Sequence, residues 1–168
     1  MSIKNTLRRC VFAGALAALA STQASADVIT ATAAVGNWQF AGAAQVPIPG
    51  MTSGLFANPL NRRFVVIFSS ECAVNAAAGS SAAWSDIDIV LMNAAGAVVS
   101  TLAPTAGNLD AFCSSNGTAG FDGWASNSVM AVAGAGLPAG IYRVQVRARL
   151  NNGATGGWFG ERSLAVIR

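Results

Sequence analysis

The sequence predicts an all-β fold, a single antiparallel β-sandwich of about eight strands, and three observations carry that prediction. Apolar and polar residues alternate over many short stretches. Clusters of Gly, Pro, Asn and Ser separate those stretches. Beyond the first 26 residues no 11-residue window shows the apolar repeat of an amphipathic helix. Short strands at this spacing suit a sandwich of jelly-roll or immunoglobulin-like type.

The chain opens with a segment that reads as a secretory signal peptide. Lys4, Arg8 and Arg9 precede an apolar run from Val11 to Ala20, and a small-residue stretch ends in Ala24-Ser25-Ala26. A run of about ten apolar residues is too short to span a bilayer, which takes roughly 20. Cys10 precedes that run, whereas a lipoprotein cysteine would follow it. Cleavage after Ala26 leaves residues 27–168 as one sandwich domain, exported to the periplasm or beyond.

The clearest strand runs from Ile141 to Leu150. Tyr142, Val144, Val146, Ala148 and Leu150 point one way, and Arg143, Gln145, Arg147 and Arg149 the other. One face is therefore buried and one wet. Leu137-Pro138-Ala139-Gly140 is a turn before it, and Asn152-Gly153 begins a glycine-rich loop after it. A last strand over about Trp158–Ile167 is expected to form a hairpin with it. Phe64–Phe68 is apolar on both faces and suits a central strand. Trp84–Met92 alternates, with Ile87, Ile89 and Leu91 opposite Trp84, Asp86 and Asp88. Val28–Ala34, Trp38–Ala41, Ser53–Ala57, Ala97–Leu102 and Ser128–Ala133 complete the set.

Charge and composition exclude several function classes. Residues 27–168 hold seven Arg (62, 63, 143, 147, 149, 162 and 168) and seven acids (Asp27, Glu71, Asp86, Asp88, Asp110, Asp122 and Glu161), a formal balance of zero. Without a net positive field, binding to nucleic acid or an anionic membrane loses its main driving term. The chain has no His, and its one Lys is Lys4. Ser-His-Asp, Cys-His, His-metal, Ser-Lys and Schiff-base schemes have no residues to build on. About one residue in five of the domain is Ala, and small side chains bury little apolar area each. A covalent staple would help such a core. Cys72 and Cys113 are the two cysteines left after processing, and in an oxidising compartment their default state is a disulfide.

The motifs Phe68-Ser69-Ser70-Glu71-Cys72, Trp84-x-Asp86-Ile87-Asp88-Ile89, Asp110-Ala111-Phe112-Cys113 and Leu137-Pro138-Ala139-Gly140-x-Tyr142-x-Val144-x-Val146 stand in order along the chain. Together they resemble the pattern of exported bacterial β-sandwich proteins that have no established activity. The resemblance covers most of residues 64–167. It implies fold and export and brings no site residue with it.

Two constellations remain. Asp86 and Asp88 face one way, about 7 Å apart along their strand. Cross-strand pairing with Arg143 and Arg147, or plain solvation, is the simplest account of them. Calcium binding and carboxylate hydrolysis are the alternatives, and calcium would need six or more oxygens. The second constellation is aromatic. Trp84, Trp124 and Trp158, with Phe121 and Phe159, lie near turns or strand ends. Plugging the ends of a core poor in large side chains is the simpler reading. The functional one makes Trp124 and Trp158 a stacking platform, with Asp122 and Asp110 as hydrogen-bond acceptors for a carbohydrate. Asn116-Gly117-Thr118 fits a glycosylation sequon but reads first as a turn, and Arg143, Arg147 and Arg149 form a stripe open to neutralisation by the aspartates. No cofactor is implied. The sequence thus favours a non-catalytic exported module that binds a surface glycan or protein. A structural subunit of a surface assembly comes second, and a carboxylate hydrolase third.

Overall fold

The computed structural model describes residues 26–59, 62–78, 83–107, 110–133 and 136–168. The expected signal segment, apart from Ala26, lies outside the described residues. Twelve strands and no helix are present among them: β1 (Val28–Ala34), β2 (Trp38–Phe40), β3 (Val46–Thr52), β4 (Phe56–Asn58), β5 (Val65–Ala76), β6 (Trp84–Asn93), β7 (Val98–Thr101), β8 (Ala111–Ser114), β9 (Gly120–Phe121), β10 (Ala125–Val132), β11 (Gly140–Asn151) and β12 (Ala154–Ile167). They form two antiparallel sheets stacked as a sandwich. The first has the order β1-β12-β5-β10, with β2 also on β12 and β9 also on β5. The second has the order β3-β11-β6-β7, with β4 also on β11 and β8 also on β6.

Twelve strands replace the eight or so expected, and the reason is local. β1 and β2 lie end to end along β12, β3 and β4 along β11, β7 and β8 along β6, and β9 and β10 along β5. Each such pair is one lane of the sheet, interrupted. Gly36 (φ 82°) breaks the first lane and Gly123 (φ 92°) the sixth. Both backbones turn through a region that disfavours a side chain. Numbered along the chain, the lanes run 1-8-3-6 in the first sheet and 2-7-4-5 in the second. Lane 1 pairs with 8, 2 with 7, 3 with 6 and 4 with 5, as in one long hairpin rolled up on itself.

Three expectations are corrected. β11 and β12 are not a hairpin: β11 lies in the second sheet and β12 in the first, and the Asn152-Gly153 turn carries the chain between layers. The central strand does not stop at Phe68 but continues to Ala76. Ser69, Ser70 and Glu71 look like a polar terminator in sequence, yet Ser69 and Glu71 simply occupy the outer face. The strand expected at Ser53–Ala57 instead starts in the break between β3, which ends at Thr52 and carries Pro47 and Pro49, and β4, which begins at Phe56. The place of β3 at the edge of the sheet tolerates a residue without an N–H.

The core lies between the layers. Val66, Phe68, Val74, Phe159, Leu164 and Val166 from the first sheet meet Ile48, Met51, Ile89, Leu91, Val144 and Val146 from the second. Rings compensate for the small residues. Phe40 and Phe159 stack at 5.5 Å between centroids, and Phe68 and Phe112 lie 5.3 Å apart across the layers. Each buried ring contributes about 1.5–3 kcal/mol. Cys72 on β5 and Cys113 on β8 are joined in a buried disulfide with 6.1 Å between Cα atoms, which ties one sheet to the other. The expected bridge is therefore present.

Candidate functional site

Trp158 stands on the outer face of β12, and its neighbours on that face, two residues away on each side, are Gly156 and Gly160. The glycines are there because rings lie over them. A Cβ at Gly156 would come within 3.2 Å of the Trp158 ring, and one at Gly160 within 3.3 Å of Trp124 Cζ3. The turn at Asp122-Gly123 between β9 and β10 brings Phe121 and Trp124 to the same place. Phe121 stands edge-on to Trp158 at 5.5 Å and to Trp124 at 6.1 Å. The three rings form one continuous patch that water still reaches: Phe121 is 52% exposed and Trp124 43%. Trp158 is half-buried beneath them. The patch is rimmed by polar groups, among them Asn75 and Thr155, whose side chains are hydrogen-bonded at 2.9 Å.

Next to the rings the outer face of the first sheet sinks into a shallow depression of about 550 Å³. Strand register builds it. Ala33, Ser163, Ser69 and Ser128 sit side by side across four strands, and Glu71 is opposite Ser126 in the following row. Small side chains leave the hollow, hydroxyls line it, and the exposed carboxylates of Glu71 and Glu161 border it. Glu71 joins the hollow to the rings: the same Cβ at Gly160 would stand 2.7 Å from its Oε2. Among the described residues neither glutamate has an ion-pair partner. Arg162, also on β12, points its guanidinium inward. There it donates to the carbonyls of Pro49, Gly36 and Gly160, and burial lowers its pKa.

The aspartate pair has a different fate. Asp86 and Asp88 lie on the outer face of β6, yet both are buried. Register puts Arg149 opposite Asp86 and Arg147 opposite Asp88. Arg149, not Arg143 or Arg147, is the partner: its Nε donates to Asp86 Oδ2 at 2.7 Å, and its terminal nitrogen lies 2.5 Å from Asp86 and 3.3 Å from Asp88. Arg147 donates instead to Gln145. Gln45 and the Gly107 N–H donate to Asp88. Burial pushes Asp86 up to about 6 against the pull of Arg149, and it raises Asp88 as well. A guanidinium thus occupies the seat between the carboxylates that a calcium ion would take. Among the described residues no three His, Cys, Asp or Glu side chains converge as a metal site.

The predicted site residues therefore divide. Trp124 and Trp158 come together. Asp122 is beside them in the chain, but its Oδ2 accepts the Asn116 N–H at 2.5 Å and braces the loop. Asn116 in turn accepts from Thr118 N–H at 2.8 Å, which makes the sequon a turn. Asp110 goes to the second sheet, near Asp86 and Asp88, where it lines a separate cleft with Pro104 and Thr105. Trp84 is half-buried on β6, and Phe159 belongs to the core. Sequence reasoning missed Glu71, Glu161 and the serine row, which only strand register assembles. The Gly156-x-Trp158-x-Gly160 spacing was the available signal for a Trp lying flat on its own strand. No known family matches the chain, and no curated protein does.

Proposed function

We propose that this chain is an exported, non-catalytic binding module of jelly-roll type that docks a glycan through Phe121, Trp124 and Trp158. The lane order 1-8-3-6 over 2-7-4-5 supports the jelly roll, a fold that serves lectins among others; the site, not the fold, carries the functional argument. The buried disulfide is compatible with an oxidising compartment and so with export.

One observation carries the reading: Phe121 joins Trp124 and Trp158 into one aromatic patch that reaches the surface instead of plugging the core. The flat apolar faces suit the C–H faces of sugar rings, and the polar rim suits their hydroxyls. Solvent-exposed apolar area of this kind has to be accounted for. The carboxylate pair does not compete as a hydrolytic centre, because Arg149 and burial engage both members. The test is a glycan array read with the unaltered protein and with Trp124→Ala and Trp158→Ala. Binding that both substitutions abolish supports the platform, and binding indifferent to both removes it.

A second reading, a subunit that packs against copies of itself, has its own observation. Val98 and Val99 on the edge strand β7, and Met130 and Val132 on the edge strand β10, are exposed. Size-exclusion chromatography across a concentration series separates the two, since the binding module stays monomeric.

A further inference from the structure

We infer that the depression beside the rings selects an amine-bearing glycan, a polymer of glucosamine type with free ammonium groups, through Glu71 and Glu161. The inference rests on the glycan-binding reading above and names its ligand class. Its starting point is how charge is distributed over the two outer faces. The arginines of β11 all project from the second sheet, where Arg149 is committed to the aspartates. On the first sheet the depression holds two exposed carboxylates with no counter-charge among the described residues. Arg162, the one cation on that wall, faces away and is engaged by carbonyls.

Glu71 and Trp124 share the space above Gly160. A carboxylate beside the face of an indole is the pairing that holds an ammonium: the charge meets the carboxylate, and the ring's negative face adds a cation–π term. Glu161 stands across from Glu71 in the bulge where β12 passes β5, and the hollow runs from this pair past Ser126, Ser69, Ser128 and Ser163. Hydroxyls along that path suit successive sugar units, and the second carboxylate beside Glu71 meets the amine of a neighbouring unit. A polyanionic glycan would face the same two carboxylates and be repelled. The rings alone would accept many sugars, so the carboxylates are what set the preference.

The experiment titrates the natural mature protein, followed by tryptophan fluorescence, with three probes: glucosamine oligomers, N-acetylglucosamine oligomers of equal length, and oligolysine. We expect the free-amine oligomer to bind about tenfold tighter than the acetylated one. Glu71→Gln together with Glu161→Gln should erase that difference, and added salt should weaken the free-amine oligomer alone. Unchanged melting of the double variant excludes misfolding as the cause. Equal binding of both oligomers, each lost in Trp124→Ala, overturns the charge selection and leaves the platform standing. Oligolysine binding that matches the free-amine oligomer overturns the commitment to sugar. No response to the free-amine oligomer overturns this inference, and the glycan array then decides the platform on its own.

Discussion

The outer faces of the two sheets use the same residue types to opposite ends. On the second sheet Asp86 and Asp88 are buried against Arg149, with Gln45 and the Gly107 N–H donating to Asp88, and the three charges neutralise one another. On the first sheet Glu71 and Glu161 stay in water without an ion-pair partner among the described residues, beside the exposed rings of Phe121 and Trp124 and the half-buried Trp158. Charge buried and paired belongs to stability, and charge exposed and unpaired beside aromatic surface is free for a ligand. The contrast predicts that substitutions on one face change melting and on the other change binding.

The largest effect is expected from the link that joins the faces. Cys72→Ala with Cys113→Ala opens a loop closed over a separation of 41 residues. It should cost about 4 kcal/mol in the chain-entropy model, read by urea denaturation. Next comes Arg149→Ala, which leaves two buried carboxylates without their cation. About 3 kcal/mol of stability should be lost, with glycan affinity unchanged. A loss of affinity in that variant would break the division between faces.

Protonation should act on the same face. Asp86 is held up to about 6 when folded, against 3.8 in a model peptide. Between those values the folded chain keeps a proton that the unfolded chain has released. That contribution to stability is therefore complete below about pH 4 and lost as the pH rises through 6. The change is about 2 to 3 kcal/mol, and the raised Asp88 acts in the same direction. Melting temperatures between pH 4 and 7 should show the decline, and Asp86→Asn should flatten it. Smallest in stability is Trp124→Ala, at under about 1 kcal/mol because the ring is 43% exposed. Its effect should appear in binding.

How far the sequence reaches follows from the same contrast. Alternation made β11 and β6 legible, because one of their faces is uniformly apolar, and oxidation state with cysteine count made Cys72–Cys113 legible. Local pattern also put Phe121 and Trp124 in one turn. It could not place Trp158 beside them, because they meet through register, with β9 and β12 both flanking β5. Nor could it choose Arg149 over Arg147 for Asp86, since β11 offers both on one face and only the pairing with β6 separates them. The β11–β12 connection misled for a related reason: a short Asn-Gly turn is the usual mark of a hairpin, and nothing within the turn says that the next strand belongs to the other layer.

The most direct test of the ligand face uses the four tryptophans as reporters. In an NMR titration with glucosamine oligomers, the indole N–H signals of Trp124 and Trp158 should move together. Those of Trp38, stacked on Phe40 at 5.0 Å, and Trp84, at the start of β6, should stay in place. Movement confined to Trp84, or no movement at any of the four, would contradict the assignment.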